Sequence, residues 1–290
     1  MKAFAGKVAV ITGAASGFGR EFARIGAQLG MKLALADIQA DALAATVDEL
    51  RAQGALAFGE AVDVSRAADV ERLAQRTLDA YGAVHLLFNN AGVAAGGLIW
   101  EQTLKDWEWV LGVNLWGVVH GVRTFVPIML AQGDECHVVN TASVAGLLSP
   151  QLMGVYNVSK HGVVTLTETL YQDLRVTGAR IGVSLLCPAF VPTGIAQSHR
   201  HRPASLRDES APTASMIAAQ KASEKAVSSG RISAGEVAQM TFDAIRENRF
   251  YVITHPKILA SVELRLHDVI AQRNPTDPFS LEPRVAPRPD

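Results

Sequence analysis

Only two cysteines occur in 290 residues, Cys136 and Cys187. Each sits inside a strand-like run, ECHVVNTAS and ARIGVSLLC. They read as buried, reduced thiols, and a disulfide framework is excluded. An excess of either charge is missing too: 27 basic side chains face 28 acidic ones, for a formal net charge of −1. Nothing advertises a polyanionic partner, so nucleic-acid binding is not expected. No stretch approaches the roughly 18 uncharged apolar residues of a membrane span. The short VAVI run near the start, beside Gly6 and Lys7, does not make a signal-peptide core. There is no repeat of solenoid length, and no compositional break marks a second domain. A cytoplasmic protein is expected.

What the chain does have is apolar material: 49% of it is hydrophobic against 19% charged. A single domain of this length buries roughly 75% of its unfolded surface. Strand-like runs at 7–12, 32–37, 55–63, 84–89, 136–143, 180–187 and 249–254 alternate with helical patterns. The helical patterns fall at 17–30, 40–53, 66–81, 103–131, 155–177, 235–247 and 256–272. The strands are continuous apolar runs, which suits a parallel sheet covered on both faces. The order predicts one α/β domain over 1–273, a Rossmann-type doubly wound sheet of seven parallel strands. Two segments break the rhythm. Residues 194–233 form a connection long enough to read as a substrate lid or binding loop. Residues 274–290, with Pro275, Pro278, Pro283, Pro287 and Pro289, read as an extended tail.

The first strand runs into Thr12-Gly13-Ala14-Ala15-Ser16-Gly17-Phe18-Gly19 and then a helix. Glycines at that spacing permit a tight turn and let backbone approach a pyrophosphate at the helix N-terminus. Asp37 closes the second strand, eighteen residues after Gly19. A carboxylate there takes both hydroxyls of an adenosine ribose and repels a 2′-phosphate. Neither Ser16 nor Ile38 is basic, so NAD is favoured over NADP. The alternative is that Asp37 is only a strand-end turn residue.

Tyr156 and Lys160 stand one helical turn apart, thirteen residues after Ser143. The spacing puts phenol and ammonium on one helix face. A nearby cation favours the phenolate and lowers the tyrosine pKa from about 10. Such a tyrosine exchanges a proton with a substrate hydroxyl or carbonyl, while the Ser143 hydroxyl holds the same oxygen. Alone, the pair also fits a surface tyrosine beside a solvated lysine.

Together these motifs resemble the short-chain dehydrogenase/reductases over roughly residues 5–255. The match adds Asp63-Val64, Asn89-Asn90-Ala91-Gly92, Asn114, and Pro188 through Thr193. The resemblance implies that Tyr156 is the general acid/base and that Lys160 lowers its pKa and binds the nicotinamide ribose. It implies that Ser143 orients the substrate oxygen and Asn114 holds a relay water. Gly13, Ser16, Gly17, Phe18, Gly19, Asp37, Ile38, Asp63, Val64, Asn90, Ala91, Gly92, Pro188, Val191 and Thr193 would contact NAD. No motif asks for a metal. By their own chemistry, Asp63 and Asn90 also fit as turn residues, and Asn114 as a bridge between helices. One departure is Pro188-Ala189 where the family has Pro-Gly, which is expected to restrict the backbone there.

The implied reaction is reversible hydride transfer between NAD and a secondary alcohol or ketone. Expected pocket walls are 93–99, 144–153, Ala189, Phe190 and the lid. Leu147, Leu148, Leu152, Met153 and Phe190 favour a bulky apolar or aromatic substrate. His199, Arg200, His201, Arg202 and Arg207 read as a solvated basic stretch or an anion site. Trp109 and Trp116, at i and i+7, share a helix face, and the resemblance implies a homodimer or homotetramer seam there. Competing readings are an NAD-binding sensor without catalysis and an epimerase or dehydratase on the same fold.

Overall fold

The computed structural model describes residues 1–280. Among them, seven parallel strands form one sheet in the order β3-β2-β1-β4-β5-β6-β7. They are β1 Val8–Thr12, β2 Lys32–Asp37, β3 Ala57–Ala61, β4 Leu86–Asn89, β5 Cys136–Thr141, β6 Ile181–Cys187 and β7 Tyr251–Ile253. Every residue of β1, β4 and β5 is buried, as the unbroken apolar runs require of a sheet covered on both faces. On one face pack α1 (Gly17–Gln28), α2 (Ala40–Ala52) and α8 (Ala234–Glu247). There Phe22 stacks on Phe88 with ring centroids 4.4 Å apart, and Phe242 closes on the same ring at 5.6 Å. The opposite face carries α3 (Ala67–Tyr81), α5 (Gly117–Gln132) and α6 (Gly154–Val176). Strand order reverses between β1 and β4, where crossovers leave toward opposite faces and open a crevice at the strand C-termini.

Three expectations are corrected. The segment 194–233 is not a long loop. It holds short 3-10 turns at Gly194–His201 and Ala204–Leu206, then α7 over Ala214–Ser228, capped by the Thr213 hydroxyl on Met216 N. Its sequence hid the helix because α7 is weakly amphipathic and buries only Ala219. The helical pattern at 103–131 is also more complex, for α4 (Leu104–Leu111) passes through a π turn, Gly112–Trp116, before α5. The extra residue per turn shifts the phase. Trp109 is consequently buried and Trp116 half exposed, instead of sharing one face. Lastly, 274–280 does not extend freely from α9 (Leu259–Ile270). Ser261 Oγ donates to Pro278 O at 2.7 Å, and Thr276 N donates to Asp268 at 2.9 Å. Pro283, Pro287 and Pro289 lie outside the described residues.

The continuous helix Leu104–Gln132 contains an 18-residue window of mean hydropathy 1.3 and is long and apolar enough by length and composition to cross a membrane. Here Phe125, Val126 and Met129 bury its inner side against Leu87 and Val138 of the sheet.

His137 is buried within β5, its Nε2 2.9 Å from Ser184 Oγ. Burial pushes its pKa down to about 3, whereas an unfolded imidazole titrates near 6.5. Between those values the unfolded chain binds more protons than the folded one, so stability falls as pH drops through that window. The slope from this group is on the order of 1 kcal/mol per pH unit. Urea midpoints measured from about pH 7 to about pH 4 should fall for the wild type and fall less steeply for His137→Gln. Parallel curves would remove His137 as the cause.

Candidate active site

The site begins where β1 stops. Gly13 turns the chain at φ +67°, the left-handed region that glycine enters freely. Gly19 comes so close beneath this turn that a Cβ on it would lie 2.1 Å from Gly13 O. Asn90 locks the turn to β4: its Nδ2 donates to Thr12 O at 3.0 Å, and its backbone N donates to Thr12 Oγ1 at 2.9 Å. The first turn of α1 contains no acid, and Ser16 makes no side-chain cap. Its leading N–H groups and positive dipole end therefore open into the cleft.

That cleft has a volume of about 1220 Å³ and runs from Asp37, past Gly13, Ser16–Phe18 and Asn90–Gly92, to Tyr156 and Lys160. Asp37 is 7% exposed. Its Oδ2 accepts from Ala15 N at 3.0 Å and its Oδ1 from Gln39 N at 3.0 Å. Held this way, each carboxylate oxygen keeps acceptor capacity for a hydroxyl. Ile38, Asp63, Val64 and Arg66 continue the wall beside it. Asp63 Oδ1 accepts from Ser65 Oγ at 2.6 Å and from Ser65 N at 3.0 Å, so it builds a turn as well as lining the cleft.

At the other end, Ser143 caps the 3-10 turn Val144–Gly146, accepting from Ala145 N at 3.1 Å and donating to Pro188 O at 3.3 Å. Tyr156 and Lys160 project from the first turns of α6. Lys160 Nζ donates to Thr141 O at 3.0 Å and stands 5.7 Å from the Tyr156 ring centroid. Burial pushes the Tyr156 phenol up to about 12, against a smaller opposing effect of a hydrogen bond with Ser143. Burial likewise brings Lys160 down to about 8. The expected lowering of the phenol by the ammonium is thus reversed. Loss of water dominates at the phenol, while the Lys160 ammonium spends a hydrogen bond on Thr141 O.

Asn114 occupies the π turn, fully buried. Its Oδ1 accepts from Val93 N at 2.8 Å, and its Nδ2 donates to Val93 O at 2.9 Å and Ser159 Oγ at 3.0 Å. Both amide N–H donors are used, and the side chain clamps the segment after β4 to α6. Of the other expected contacts, Pro188 and Thr193 line the cleft, whereas Gly19, Asn114, Ser143 and Val191 are not among its lining residues. Ala189 takes no left-handed φ, so replacing glycine there costs no backbone strain.

Of the expected pocket walls, Val93 and residues of 194–206 line the cleft, whereas 144–153, Ala189 and Phe190 do not. Leu147, Leu148, Leu152, Met153 and Phe190 do not line it; Leu148 is buried, and the Phe190 ring is half exposed beside Phe279. Trp107, Leu111 and Trp116, with Ile195 and Leu206 of the 194–233 segment, line it as well. A helical i, i+4 pair at 107 and 111 was the available signal for the first two. Among the described residues, no group of His, Cys, Asp and Glu is placed to hold a metal ion.

A parallel sheet with this glycine turn, acidic strand end and Ser-Tyr-Lys set defines a class, and comparison with known proteins agrees. The short chain dehydrogenase family model matches residues 7–204. The chain belongs to that family, and with it to the oxidoreductases. It is 34% identical over 278 residues to a CLA biosynthesis dehydrogenase/reductase of Lactiplantibacillus plantarum, covering 95% of this chain and 97% of that protein. It is 33% identical over 290 residues to a C alpha-dehydrogenase of Sphingobium sp. SYK-6, covering 98% and 93%. A crystal structure of a short chain dehydrogenase/reductase from Burkholderia phymatum in complex with NAD matches with TM-score 0.95 and 62% identity, over 97% of this chain and all of that one (100%).

The tight fit at Gly19 is testable. Gly19→Ala forces a methyl against Gly13 O and should lower stability by about 1–3 kcal/mol in urea unfolding. Gly54→Ala, with nothing within 4 Å, meets only backbone strain at φ +87° and should cost less. Equal losses would contradict the close approach.

Proposed function

We propose that the chain is an NAD-dependent alcohol dehydrogenase or ketone reductase for a bulky apolar or aromatic secondary alcohol. One observation carries the reading: Tyr156 and Lys160 line the same cleft as the open end of α1 and Asp37. The residues fit a dinucleotide. Unfilled N–H groups of α1 suit a pyrophosphate, and Asp37 keeps acceptors for a ribose diol without a cation at Ser16 or Ile38. Gly13, Ser16, Gly17, Phe18 and Gly19 would form the phosphate end. Asp37, Ile38, Asp63 and Val64 would hold the adenosine side, with Asn90, Ala91 and Gly92 beneath. Pro188, Val191 and Thr193, with Lys160, would meet the nicotinamide side. NAD, when bound, supplies the hydride acceptor and donor.

The chain's own task is then the proton. Tyr156 gives a proton to a ketone oxygen or removes one from an alcohol, and Ser143 orients that oxygen. Lys160 is the cation that favours the phenolate once the proton has left. Asn114 keeps the loop beneath Lys160 in place, since a Cβ on Gly92 would meet Asn114 Oδ1 at 3.5 Å and Lys160 Nζ at 3.6 Å. Trp107, Leu111 and Leu206 support the apolar substrate class. Exposed Trp116 and Val158 on neighbouring helices support a homodimer or homotetramer, and we place the protein in the cytoplasm.

Tyr156→Phe should reduce turnover by about 10²–10⁴-fold while calorimetry finds NAD affinity nearly intact. Unchanged turnover would overturn the acid/base role. Asp37→Ala should relax discrimination against NADP; an unaltered NAD:NADP ratio of kcat/KM would place selectivity elsewhere. With the phenol raised to about 12, it holds its proton at neutral pH. Ketone reduction should therefore be flat through neutrality while alcohol oxidation climbs with alkaline pH. An oxidation rate independent of pH between about 7 and about 10 would argue against Tyr156 as the base.

A further inference from the structure

His199, Arg200, His201, Arg202 and Arg207 crowd one short stretch of the lid, yet their side chains part company. Arg200, His201 and Pro203 line the cleft; Arg202 does not. It turns the other way, onto the start of α4. Its Nη1 lies 2.6 Å from Asp106 Oδ1 and its Nη2 3.3 Å from Asp208 Oδ2. The pair is mostly shielded, with side-chain exposures of 13% for Arg202 and 7% for Asp106. The guanidinium also lies over Trp109, 5.2 Å from the ring centroid. Asp106 is fixed independently, since its Oδ2 accepts from Thr103 N at 2.9 Å in the capping box of α4. Thr103 Oγ1 in turn donates to Asp208 Oδ2 at 3.0 Å.

We propose that Arg202 is a positioning residue. It clasps the lid to α4 and so sets how far residues 194–201 reach over the cleft, and through them how tightly the cleft holds its dinucleotide. The proposal rests on reading the cleft as an NAD site. Physically, the planar fork bridges two carboxylates and stacks on an indole, a combination that an ammonium does not reproduce. Removing it leaves Asp106 shielded without its cation, so that end of the lid must open to rehydrate the carboxylate. Gln197 and Ser198 then lose their station over the groove. The other ties are single hydrogen bonds: Ala94 N donates to Ser198 Oγ at 3.0 Å, Gln220 Nε2 to Ala196 O at 2.6 Å, and Lys105 Nζ of α4 to Arg207 O at 2.8 Å.

Hydrogen exchange on the full chain without nucleotide tests the clasp directly. Amides of 194–206 in Arg202→Gln should exchange at least about tenfold faster than in the wild type, with α1 and the sheet unchanged. Calorimetry should find NAD binding weakened by a similar factor, about tenfold. Arg202→Lys should recover part of both, and Asp208→Asn should move both in the direction of Arg202→Gln by less. Asp208→Asn also decides the matter if Arg202→Gln fails to fold. Lid exchange at the wild-type rate would overturn the proposal. So would acceleration spread evenly over the whole chain, or a loosened lid with unchanged NAD affinity. If the wild type does not bind NAD, the proposed function fails, and the exchange comparison still decides whether Arg202 holds the lid.

Discussion

The site depends on one junction, the hydrogen-bonded join between the ends of β1 and β4. Thr12 Oγ1 accepts from Asn90 N and Ala91 N and donates to Phe88 O at 3.2 Å. Asn90 answers with its amide on Thr12 O. These two strands are neighbours at the point where the crossovers part, so the sheet alone leaves a gap there. The join fixes the gap's width. On one side it sets the glycine turn and the open end of α1. On the other it sets the 90–93 segment, which Asn114 then clamps to α6. The Gly13–Asp37 end and the Tyr156–Lys160 end of the cleft are therefore held by one polar seam.

The Tyr156–Lys160 end of the cleft shows what burial does to ionisable groups. Tyr156 and Lys160 are pushed in opposite directions by the same loss of water, and Cys187 beside them is pushed up to about 12. All three are shifted toward their neutral forms in a region where charge is poorly solvated. An arrangement of this kind has high leverage. A single added charge or hydrogen bond in the low-dielectric pocket alters proton affinities more than the same group would in water.

Much of this was legible in the sequence, because the signals are local. Apolar runs marked all seven strands, and turn chemistry marked Gly13 and Asp37. The i, i+4 spacing put Tyr156 and Lys160 on one face. What escaped depended on long-range partners or on phase. The bond between Asp106 and Arg202 joins residues 96 apart, which no periodicity announces. The π turn shifted Trp116 away from Trp109 by a backbone change that the hydrophobic pattern does not record. The walls of the cleft were misjudged for a related reason. Leucines after Ser143 could face the cleft or the interior, and Leu148 took the interior, as apolar residues most often do.

The π turn also divides labour along one continuous helix. A regular helix offers a single stripe, and every side chain on it answers to one neighbour. Here the widened turn resets the stripe midway. Residues before it serve the mouth of the cleft and contact Arg202 of the 194–233 segment, while Phe125, Val126 and Met129 after it serve the sheet. The front half can accordingly exchange side chains to suit a different guest molecule without rotating the back half off its bed. The rod behaves as two tools on one handle, and the joint between them is Asn114.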